Sequence, residues 1–394
     1  ELRHASVVID AIVGTGFRGR LVGRAASAAE AINQAGRPVV AVDIPSGVEG
    51  ATGAVNGPAV RAAVTVTMGA IKVGLVLYPG SEHAGSVEVA DIGIEPKYIQ
   101  SRLSLVEEAD VRAALPRRPA DAHKRSVGTS MIVAGSVGMS GAAALAARGA
   151  LRAGAGLVTM AAPSSVALPL DQTVLEATTL RLPETGRGTI EPSAVDAVLS
   201  RAAAVDAVAL GPGLTTDPET VEFVGKLVAG CDRPLLLDAD GINALAGRPE
   251  ALAGRSAPTL MTPHPGELGR LLGISTAEVS ADRIASALRA AGLTRSVALL
   301  KGYRTVVAAP SGEAVVIPVG GPALATGGAG DVLTGVAVAL LASGMDPFPA
   351  GWCAAWIHGR AGDLMAERMG VRGGVAGDLP EAVAEVLRRL EASA

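Results

Sequence analysis

Aromatic residues are scarce in this chain of 394 residues, where phenylalanine, tryptophan and tyrosine together make up 2%. Surfaces that bind single-stranded nucleic acid stack bases on aromatic rings, and a formal net charge of −4 provides no excess of basic groups for a phosphate backbone. The longest apolar run, Val332–Ala342, is followed by Ser343, Gly344 and Pro347 and is too short to span a bilayer. We therefore expect no nucleic-acid partner and no membrane insertion.

Cysteine is also rare, since only Cys231 and Cys353 occur, each in apolar sequence surroundings. Two isolated cysteines form neither a disulfide framework nor a zinc-binding pattern. We interpret them as reduced core residues of a cytoplasmic protein, and no secretory signal peptide is recognisable. The chain begins at Glu1 without methionine and soon enters a predicted strand, so we expect that it starts inside a domain.

Short β-branched runs alternate with an alanine-rich helical pattern near the start of the chain. Ser6–Val13 and Pro38–Val42 are predicted strands, and Arg24–Ala35 between them has helical periodicity. Further strands are predicted at residues 63–68 and 87–92. The strand–helix–strand order predicts an α/β fold with a parallel sheet.

A second α/β series follows residues 95–119, which are richer in charge and proline and show no strong strand pattern. We assign residues 1–105 to a first domain and residues 106–394 to a second. In the second domain, buried strands repeatedly end in loops that hold glycine, proline, aspartate or histidine, and open α/β sheets bind ligands at such ends. The predicted strands are Ser130–Ala134, Leu157–Ala161, Ala207–Leu210, Pro234–Leu237, Thr259–Met261, Val297–Leu300 and Thr305–Ala309.

A glycine-rich loop, Thr326–Asp331, lies directly before the apolar run Val332–Leu341. Such a loop directs several backbone N–H groups at one point, and the dipole of the following helix adds positive charge there. The arrangement is typical of a phosphate site, and Asp331 at its edge could act on a hydroxyl beside the phosphate. The alternative is an ordinary turn in which Asp331 caps the helix.

Residues Gly14–Arg20 hold a G-x-G-x-x-G pattern after a strand, and Asp43 ends the next strand. The pattern is typical of dinucleotide-binding oxidoreductases, but its two arginines equally suit a loop that clamps phosphates, and a long turn with solvated arginines stays open. Asp10 ends the neighbouring strand, and Ser46 follows Asp43 closely. These groups could bind a cation, transfer a proton or cap helices.

Three further polar positions lie at strand ends of the second domain. Lys301–Thr305 separates two predicted strands, so its lysine either approaches a nucleotide phosphate or belongs to an ordinary hairpin turn. His264 is flanked by prolines, and a lone histidine is more often structural than catalytic. Glu267 either binds Mg²⁺ or begins a helix.

Together these motifs resemble a known family. Residues from about 120 to 390 resemble the dehydratase domain of the bifunctional NAD(P)H-hydrate repair enzymes, which has a ribokinase-like fold. The motifs that carry this resemblance are Gly138–Ala143, Arg152–Val158, Thr262–Glu267 and Ala325–Gly335. Residues 1 to about 100 resemble the C-terminal half of the family's epimerase domain, which is Rossmann-like, through Asp10–Gly19 and Val42–Val48.

The resemblance implies two reactions on nicotinamide cofactors that have been hydrated in error. The epimerase interconverts the R and S hydrates, and the dehydratase restores NADH or NADPH from the S form. Its phosphoryl donor is ADP in bacteria and ATP in eukaryotes, with Mg²⁺, and the epimerase uses K⁺. The family's earlier Asn- and Gly-rich loop, which completes the epimerase site, is not recognisable in this sequence, so we expect epimerisation only where that loop is present.

The family's functional residues map onto this sequence through the shared motifs, with Asp331 and Asp43 implied as catalytic. The residues implied to contact the hydrate are Ala142, Gly213, His264 and Asp331 in the second domain, and Gly14, Thr15, Gly16, Phe17, Arg18, Gly19, Arg20 and Asp43 in the first. The residues implied to contact the nucleotide are Lys301, Gly302, Tyr303, Arg304, Thr305 and Gly330. Those implied for metals are Asp10 and Ser46 for K⁺, and Glu267 for Mg²⁺.

Two other functions stay open at this point. A ribokinase-fold kinase that phosphorylates a vitamin-precursor alcohol would share Gly330 and Asp331 but would need neither His264 between prolines nor an attached epimerase-like domain. The second alternative function is a scaffold that binds a nucleotide but catalyses no reaction. For the repair enzyme we expect a homo-oligomer with NAD(P)H hydrate and ADP as its ligands.

Overall fold

The computed structural model describes residues 2–392, and the chain divides into two compact units, Glu1–Ser101 and Arg102–Ala394. Within the described residues, no helix is both long and apolar enough to cross a membrane. Each unit contains one sheet with helices packed against it, as the alternation of strand and helix patterns predicts.

The first unit has a four-stranded sheet in the order β1-β2-β3-β4, and every strand pair in it is parallel. The predicted helix between the first two strands is confirmed and runs from Gly23 to Gln34. Its apolar side, with Ala29 and Ile32, is buried. The elements are β1 Val8–Asp10, α1 Gly23–Gln34, β2 Val39–Val42, β3 Val64–Met68, α2 Val73–Val76, α3 Ser81–Ala84 and β4 Ser86–Ala90.

The second unit has a ten-stranded sheet in the order β5-β14-β13-β12-β11-β10-β9-β6-β7-β8. Strands β12, β13 and β14 form an antiparallel meander, and the other neighbours pair in parallel. The strands are β5 Leu103–Leu105, β6 Thr129–Val133, β7 Leu157–Pro163, β8 Thr178–Leu182, β9 Ala207–Leu210, β10 Leu235–Leu237, β11 Thr259–Met261, β12 Val297–Leu300, β13 Val306–Ala308 and β14 Ala314–Val316.

Helices cover the larger sheet. They are α4 Glu108–Ala114, α5 Ser140–Arg152, α6 Ser164–Thr173, α7 Val195–Ala202, α8 Pro218–Gly230, α9 Asp240–Asn243, α10 Glu250–Ala253, α11 Pro265–Leu272, α12 Thr276–Ala281, α13 Arg283–Thr294, α14 Ala329–Ala342, α15 Pro347–Gly373 and α16 Leu379–Ala392. The long helix α15 is interrupted at Gly370, which has a φ of 74°.

Residues 95–119, which show no strong strand pattern in the sequence, contain one short strand. Strand β5 lies there and pairs in parallel with β14, with Leu103 opposite Ala314. A strand of three residues is too short to show a periodic pattern in the sequence. Its partner strand lies about 200 residues away along the chain, so no neighbouring segment indicates the pairing either.

Helix α14 is the central helix of the larger unit, since Val332–Ala342 is continuously buried. It packs unusually close to α5 because both helices present glycine at the contact. A Cβ atom on Gly335 would lie 2.0 Å from the carbonyl oxygen of Ala146, and one on Gly149 would lie 2.6 Å from that of Val332. The small residues therefore set the distance between these helices, and with it the position of the glycine loop at the start of α14.

We expect Gly335→Ala to destabilise the larger unit by about 1–3 kcal/mol, because the added methyl group overpacks the contact between α5 and α14. Gly225→Ala is the matched control: it lies in the interior of α8 with open space around its Cα, and should stabilise by about 0.5–1 kcal/mol through helix propensity. Urea denaturation followed by circular dichroism measures both. Equal shifts for the two variants would contradict the close packing.

Candidate active sites

The glycine loop turns into α14 through Gly328, which has a φ of 92° and is the N-cap of the helix. A Cβ atom there would lie 2.5 Å from Cδ1 of Leu145, so the position requires glycine on both conformational and steric grounds. Asp331 is the third residue of the helix and not its cap. Its carboxylate therefore lies in the first turn, beside the positive end of the helix dipole.

A lysine that follows strand β12 lies close to this N-terminus of α14. Nζ of Lys301, directly after β12, lies 2.6 Å from Oδ1 of Asp238 and 3.8 Å from Oε2 of Glu267. A Cβ atom on Gly330 would lie 3.5 Å from the same Nζ atom. The structure thus brings Lys301, Glu267 and the glycine loop together, and it adds Asp238, which follows β10.

Asp238 is almost fully buried and accepts two further hydrogen bonds. Oγ1 of Thr262 donates to Oδ1 at 2.9 Å, and Oγ1 of Thr334 donates to Oδ2 at 2.8 Å. Three donors from β12, β11 and α14 therefore share one carboxylate. Such saturation is what allows an ionised carboxylate to be buried.

Burial and neighbouring charges set the acidity of this site. Burial raises the pKa of Asp331 to about 7, aided by the negative charges of Asp238 and Asp240 and opposed by Lys301. For Lys301, burial would lower the pKa, but Asp238 and Glu267 outweigh it and hold the pKa above its ordinary value. Near neutral pH the lysine is charged, and Asp331 exchanges readily between its two protonation states.

His264 is the N-cap of α11. Its Nδ1 atom accepts hydrogen bonds from the N–H groups of Gly266, at 2.9 Å, and Glu267, at 3.3 Å, while Oε2 of Glu267 accepts from the N–H of His264 at 2.8 Å. Burial lowers the pKa of His264, and the charges of Lys301 and Arg270 lower it further. The half-exposed ring is therefore neutral and fixed by the cap. Glu267 is the third residue of α11 and faces Lys301.

The hairpin loop between β12 and β13 is held by Arg283. Its guanidinium donates to the carbonyl oxygens of Leu300, at 3.0 Å, Lys301, at 3.2 Å, and Tyr303. Gly302 has a φ of 146°, and a Cβ atom there would lie 2.9 Å from this guanidinium. The loop that was predicted to contact a nucleotide is thus an ordered turn, in which Arg304 also stacks on the ring of Tyr303.

The two other predicted hydrate contacts of this unit lie side by side. A Cβ atom on Gly213 would lie 3.2 Å from Cβ of Ala142, and Oγ of Ser136 donates to the carbonyl oxygen of Gly213 at 2.8 Å. The loops after β6 and β9 therefore meet at the carboxyl edge of the sheet.

In the first unit, Asp10 and Ser46 form a fully buried pair. Oγ of Ser46 donates to Oδ1 of Asp10 at 2.7 Å, and the N–H of Ser46 donates to Oδ2 at 2.8 Å. The N–H of Val13 also donates to Oγ of Ser46 at 3.0 Å. The two residues that were predicted to share a cation are thus direct neighbours.

Asp43 lies in the left-handed region with a φ of 69°, which is uncommon for a residue other than glycine. Its Oδ1 atom accepts from Nζ of Lys72 at 2.5 Å, the N–H of Met68 at 3.0 Å and Oγ1 of Thr67 at 3.2 Å. Burial would raise the pKa of Asp43, but Lys72 and the Met68 amide outweigh it and hold the pKa below its ordinary value. Asp43 is therefore a carboxylate at neutral pH.

The loop Gly14–Arg20 is largely exposed and is held by local contacts. The N–H of Gly19 donates to Oε1 of Glu49 at 2.7 Å, and the guanidinium of Arg18 folds back onto the carbonyl oxygens of Phe17, at 2.8 Å, and Thr15, at 3.2 Å. The Glu49 carboxylate therefore occupies this N–H group, and an anionic ligand group would have to displace it to bind there.

Sequence reasoning missed several residues of these sites. Asp238 follows a predicted strand and obeys the same strand-end rule as the predicted residues, so it could have been found. Thr334, Lys72 and His358 carried no such signal, because their positions depend on tertiary packing. Burial lowers the pKa of His358 to about 4, and its Nε2 atom donates to the carbonyl oxygen of Ala329 at 2.9 Å, beneath the glycine loop.

The raised pKa of Asp331 predicts a pH-dependent cost to stability. A carboxyl group whose pKa is higher in the folded state contributes stability that is present at low pH and is lost as pH rises through about 7. Asp331→Asn should therefore raise the free energy of unfolding by roughly 1–3 kcal/mol near pH 8, after allowance for solvent screening and the helix dipole, and by almost nothing near pH 4.

Thermal unfolding at the two pH values measures this difference. The exposed Asp121→Asn is the matched control and should change the unfolding temperature little at either pH. A gain for Asp331→Asn that is equal at low and high pH would contradict the assignment.

Comparisons with known proteins agree with this geometry. The family model described as NAD(P)H-hydrate dehydratase matches residues 130–385, and the model described as YjeF-related protein N-terminus matches residues 1–74. A bifunctional NAD(P)H-hydrate repair enzyme from Moorella thermoacetica is 45% identical over 393 residues, which cover 99% of this chain and 74% of the relative. The enzyme of that name from Escherichia coli is 34% identical, over 95% of this chain and 70% of the relative.

Solved structures show the fold of the larger unit. The ADP/ATP-dependent NAD(P)H-hydrate dehydratase from Bacillus subtilis, co-crystallised with ATP and Mg²⁺, is 34% identical and has a TM-score of 0.64, over 73% of this chain and 98% of that chain. A ribokinase-like superfamily protein from Enterococcus faecalis, 21% identical, has a TM-score of 0.63 over 75% of this chain and 99% of that chain. These likenesses confirm the predicted ribokinase-like fold. The chain belongs to the family of bifunctional NAD(P)H-hydrate repair enzymes.

Proposed function

We propose that the larger unit forms an ADP-dependent dehydratase that restores NADH or NADPH from the S hydrate, with AMP and phosphate as the other products. The first unit is then a partial epimerase domain. The observation that carries the proposal is the convergence of Asp331 and Lys301 at the N-terminus of α14. A proton acceptor with a pKa of about 7 beside a fixed cation and an anion-binding helix end is what phosphorylation of a hydroxyl requires.

The reaction begins with the donor's phosphates at Gly330 and Lys301. The Lys301 ammonium and the N-terminus of α14 stabilise negative charge on the transferring phosphoryl group. Asp331 accepts the proton of the substrate hydroxyl while the hydroxyl oxygen forms a bond to phosphorus. At the same time, the bond between that phosphorus and the oxygen of the departing nucleoside monophosphate breaks. The hydroxyl oxygen thereby becomes part of a phosphate, a better leaving group. The C–O bond then breaks with its electron pair passing to phosphate, and loss of a proton from the neighbouring ring carbon forms the double bond of the reduced nicotinamide.

Glu267 fits a role as a protein ligand for Mg²⁺. The ion usually binds one or two carboxylates together with substrate phosphates and water, and Glu267 is a buried carboxyl group 3.8 Å from Nζ of Lys301. Among the described residues, no group of three or more histidine, cysteine, aspartate or glutamate side chains could hold a metal without such a substrate. When bound, Mg²⁺ would neutralise charge on the phosphates.

In the first unit, we assign the binding of K⁺ to Asp10 and Ser46, and hydrate binding to Gly14–Arg20 and Asp43. The ionised Asp43 is a candidate proton acceptor for epimerisation, with Lys72 as the group that holds it. The buried free cysteines Cys231 and Cys353 favour a cytoplasmic protein. We further propose that the enzyme is a homo-oligomer.

Replacement of the proton acceptor tests the dehydratase directly. With ADP and NADH hydrate, the native protein should regenerate the absorbance of reduced nicotinamide, and its kcat/KM should fall as pH drops below about 7. Asp331→Asn should lower the rate by about 10²–10⁴-fold while AMP binding is retained. A phosphorylated alcohol that accumulates without NADH would instead identify a kinase, and AMP binding without any turnover would identify a scaffold.

The proposed K⁺ site predicts a cation-specific stabilisation. KCl should raise the unfolding temperature more than LiCl at equal ionic strength, because a ligand that binds only the folded state stabilises it. Asp10→Asn should abolish this difference, whereas Asp91→Asn, at an exposed turn in the same unit, should keep it. A native protein that responds equally to both salts would rule out the assignment.

A further inference from the structure

One carboxylate connects the sheet edge of the larger unit to its central helix. Asp238 follows β10, and its two oxygens are shared by Nζ of Lys301 after β12, Oγ1 of Thr262 after β11 and Oγ1 of Thr334 in α14. All three distances lie between 2.6 and 2.9 Å. Asp238 is 1% exposed, so solvent does not compete for these bonds.

We propose that Asp238 is the positioning residue of the dehydratase, which holds Lys301 at the phosphoryl site and fixes the turn of α14 that presents Asp331. The inference rests on the proposed function above and adds a residue that touches neither the hydrate nor the nucleotide in that mechanism. Asp238 acts through its two neighbours.

The contact with Thr334 determines how α14 presents Asp331. Residues three apart lie on the same face of a helix, one turn from each other. A hydrogen bond from Thr334 to a carboxylate anchored in the sheet therefore limits rotation of α14 about its axis. Since Asp331 must reach a single hydroxyl, and since a misplacement of about 1 Å can cost 10²-fold in rate, this anchor bears on catalysis.

The contact with Lys301 determines where the positive charge lies. A lysine side chain is a point charge on a flexible stem of four carbons. Asp238 at 2.6 Å and Glu267 at 3.8 Å leave Nζ one favourable position, beside Gly330. Without Asp238 the ammonium could still bind phosphate, but it would no longer be held in one place.

The charges around Asp331 support the same role. Burial, Asp238 and Asp240 raise its pKa, and Lys301 opposes them. Glu267 faces Lys301 from α11, and the neutral His358 contacts the start of α14 from α15. Removal of the negative charge of Asp238 should therefore lower the pKa of Asp331, while removal of the Thr334 hydroxyl should leave that charge in place.

Three variants separate a positioning role from a structural one. Asp238→Asn keeps the shape of the side chain, and it should lower kcat by about 100-fold. It should change the affinity for AMP by less than about threefold. The fall of kcat/KM on the acid side of the pH profile, the acid limb, should move to lower pH by about one pH unit. Thr334→Val should lower kcat by about tenfold without moving the limb. Asp206→Asn is the matched structural control, because Asp206 also joins two strands through Thr129, and it should lower stability alone.

These experiments distinguish failure of the positioning role of Asp238 from failure of the proposed dehydratase function. If the native protein forms no NADH from ADP and the hydrate, the dehydratase reaction itself is refuted. If the native protein is active and Asp238→Asn keeps its kcat and acid limb, the positioning role is refuted. Should Asp238→Asn not fold, Thr334→Val decides: native kcat at full folding overturns the inference, and the tenfold loss with an unmoved limb supports it.

Discussion

The ion pair between Asp238 and Lys301 is the interaction on which the site of the larger unit depends. It joins two strand ends that are 63 residues apart in sequence, and a threonine of α14 shares the same carboxylate. A lysine beside a carboxylate in a buried site retains its charge, and that charge in turn limits the rise in the pKa of Asp331. The phosphate binding and the proton transfer that we propose thus depend on a single local arrangement.

Close packing of α14 makes that arrangement rigid. Gly335 and Gly149 bring α14 and α5 into backbone contact, and Gly328 allows the chain to enter the helix in the left-handed conformation. His358 supports the same turn from below through the Ala329 carbonyl. Small residues, which contribute little hydrophobic area individually, here position the N–H groups and dipole of the helix end.

The two units set the acidity of their proposed catalytic aspartates in opposite ways. Asp43 accepts a hydrogen bond from Lys72 at 2.5 Å and one from a backbone amide, and its pKa lies below the ordinary value. Asp331 lies among other carboxylates in a buried site, and its pKa is raised to about 7. The same residue type, after a strand in one unit and in the first turn of a helix in the other, is therefore an anion at neutral pH in the first case and a titratable group in the second.

Local sequence patterns determined much of this protein: the alternation of strands and helices, the glycine loop before an apolar helix, and the polar strand ends at Asp43, His264 and Lys301. These features follow from nearest-neighbour chemistry and periodicity, which sequence displays directly. The tertiary structure alone decided which groups share a site. Thr334 reaches Asp238 from 96 residues away, and Lys72 meets Asp43 across 29 residues. Strand β5 pairs with β14, about 200 residues further along the chain. Burial and long-range contact also set the pKa of Asp331, because both depend on what the folded chain places around the carboxylate.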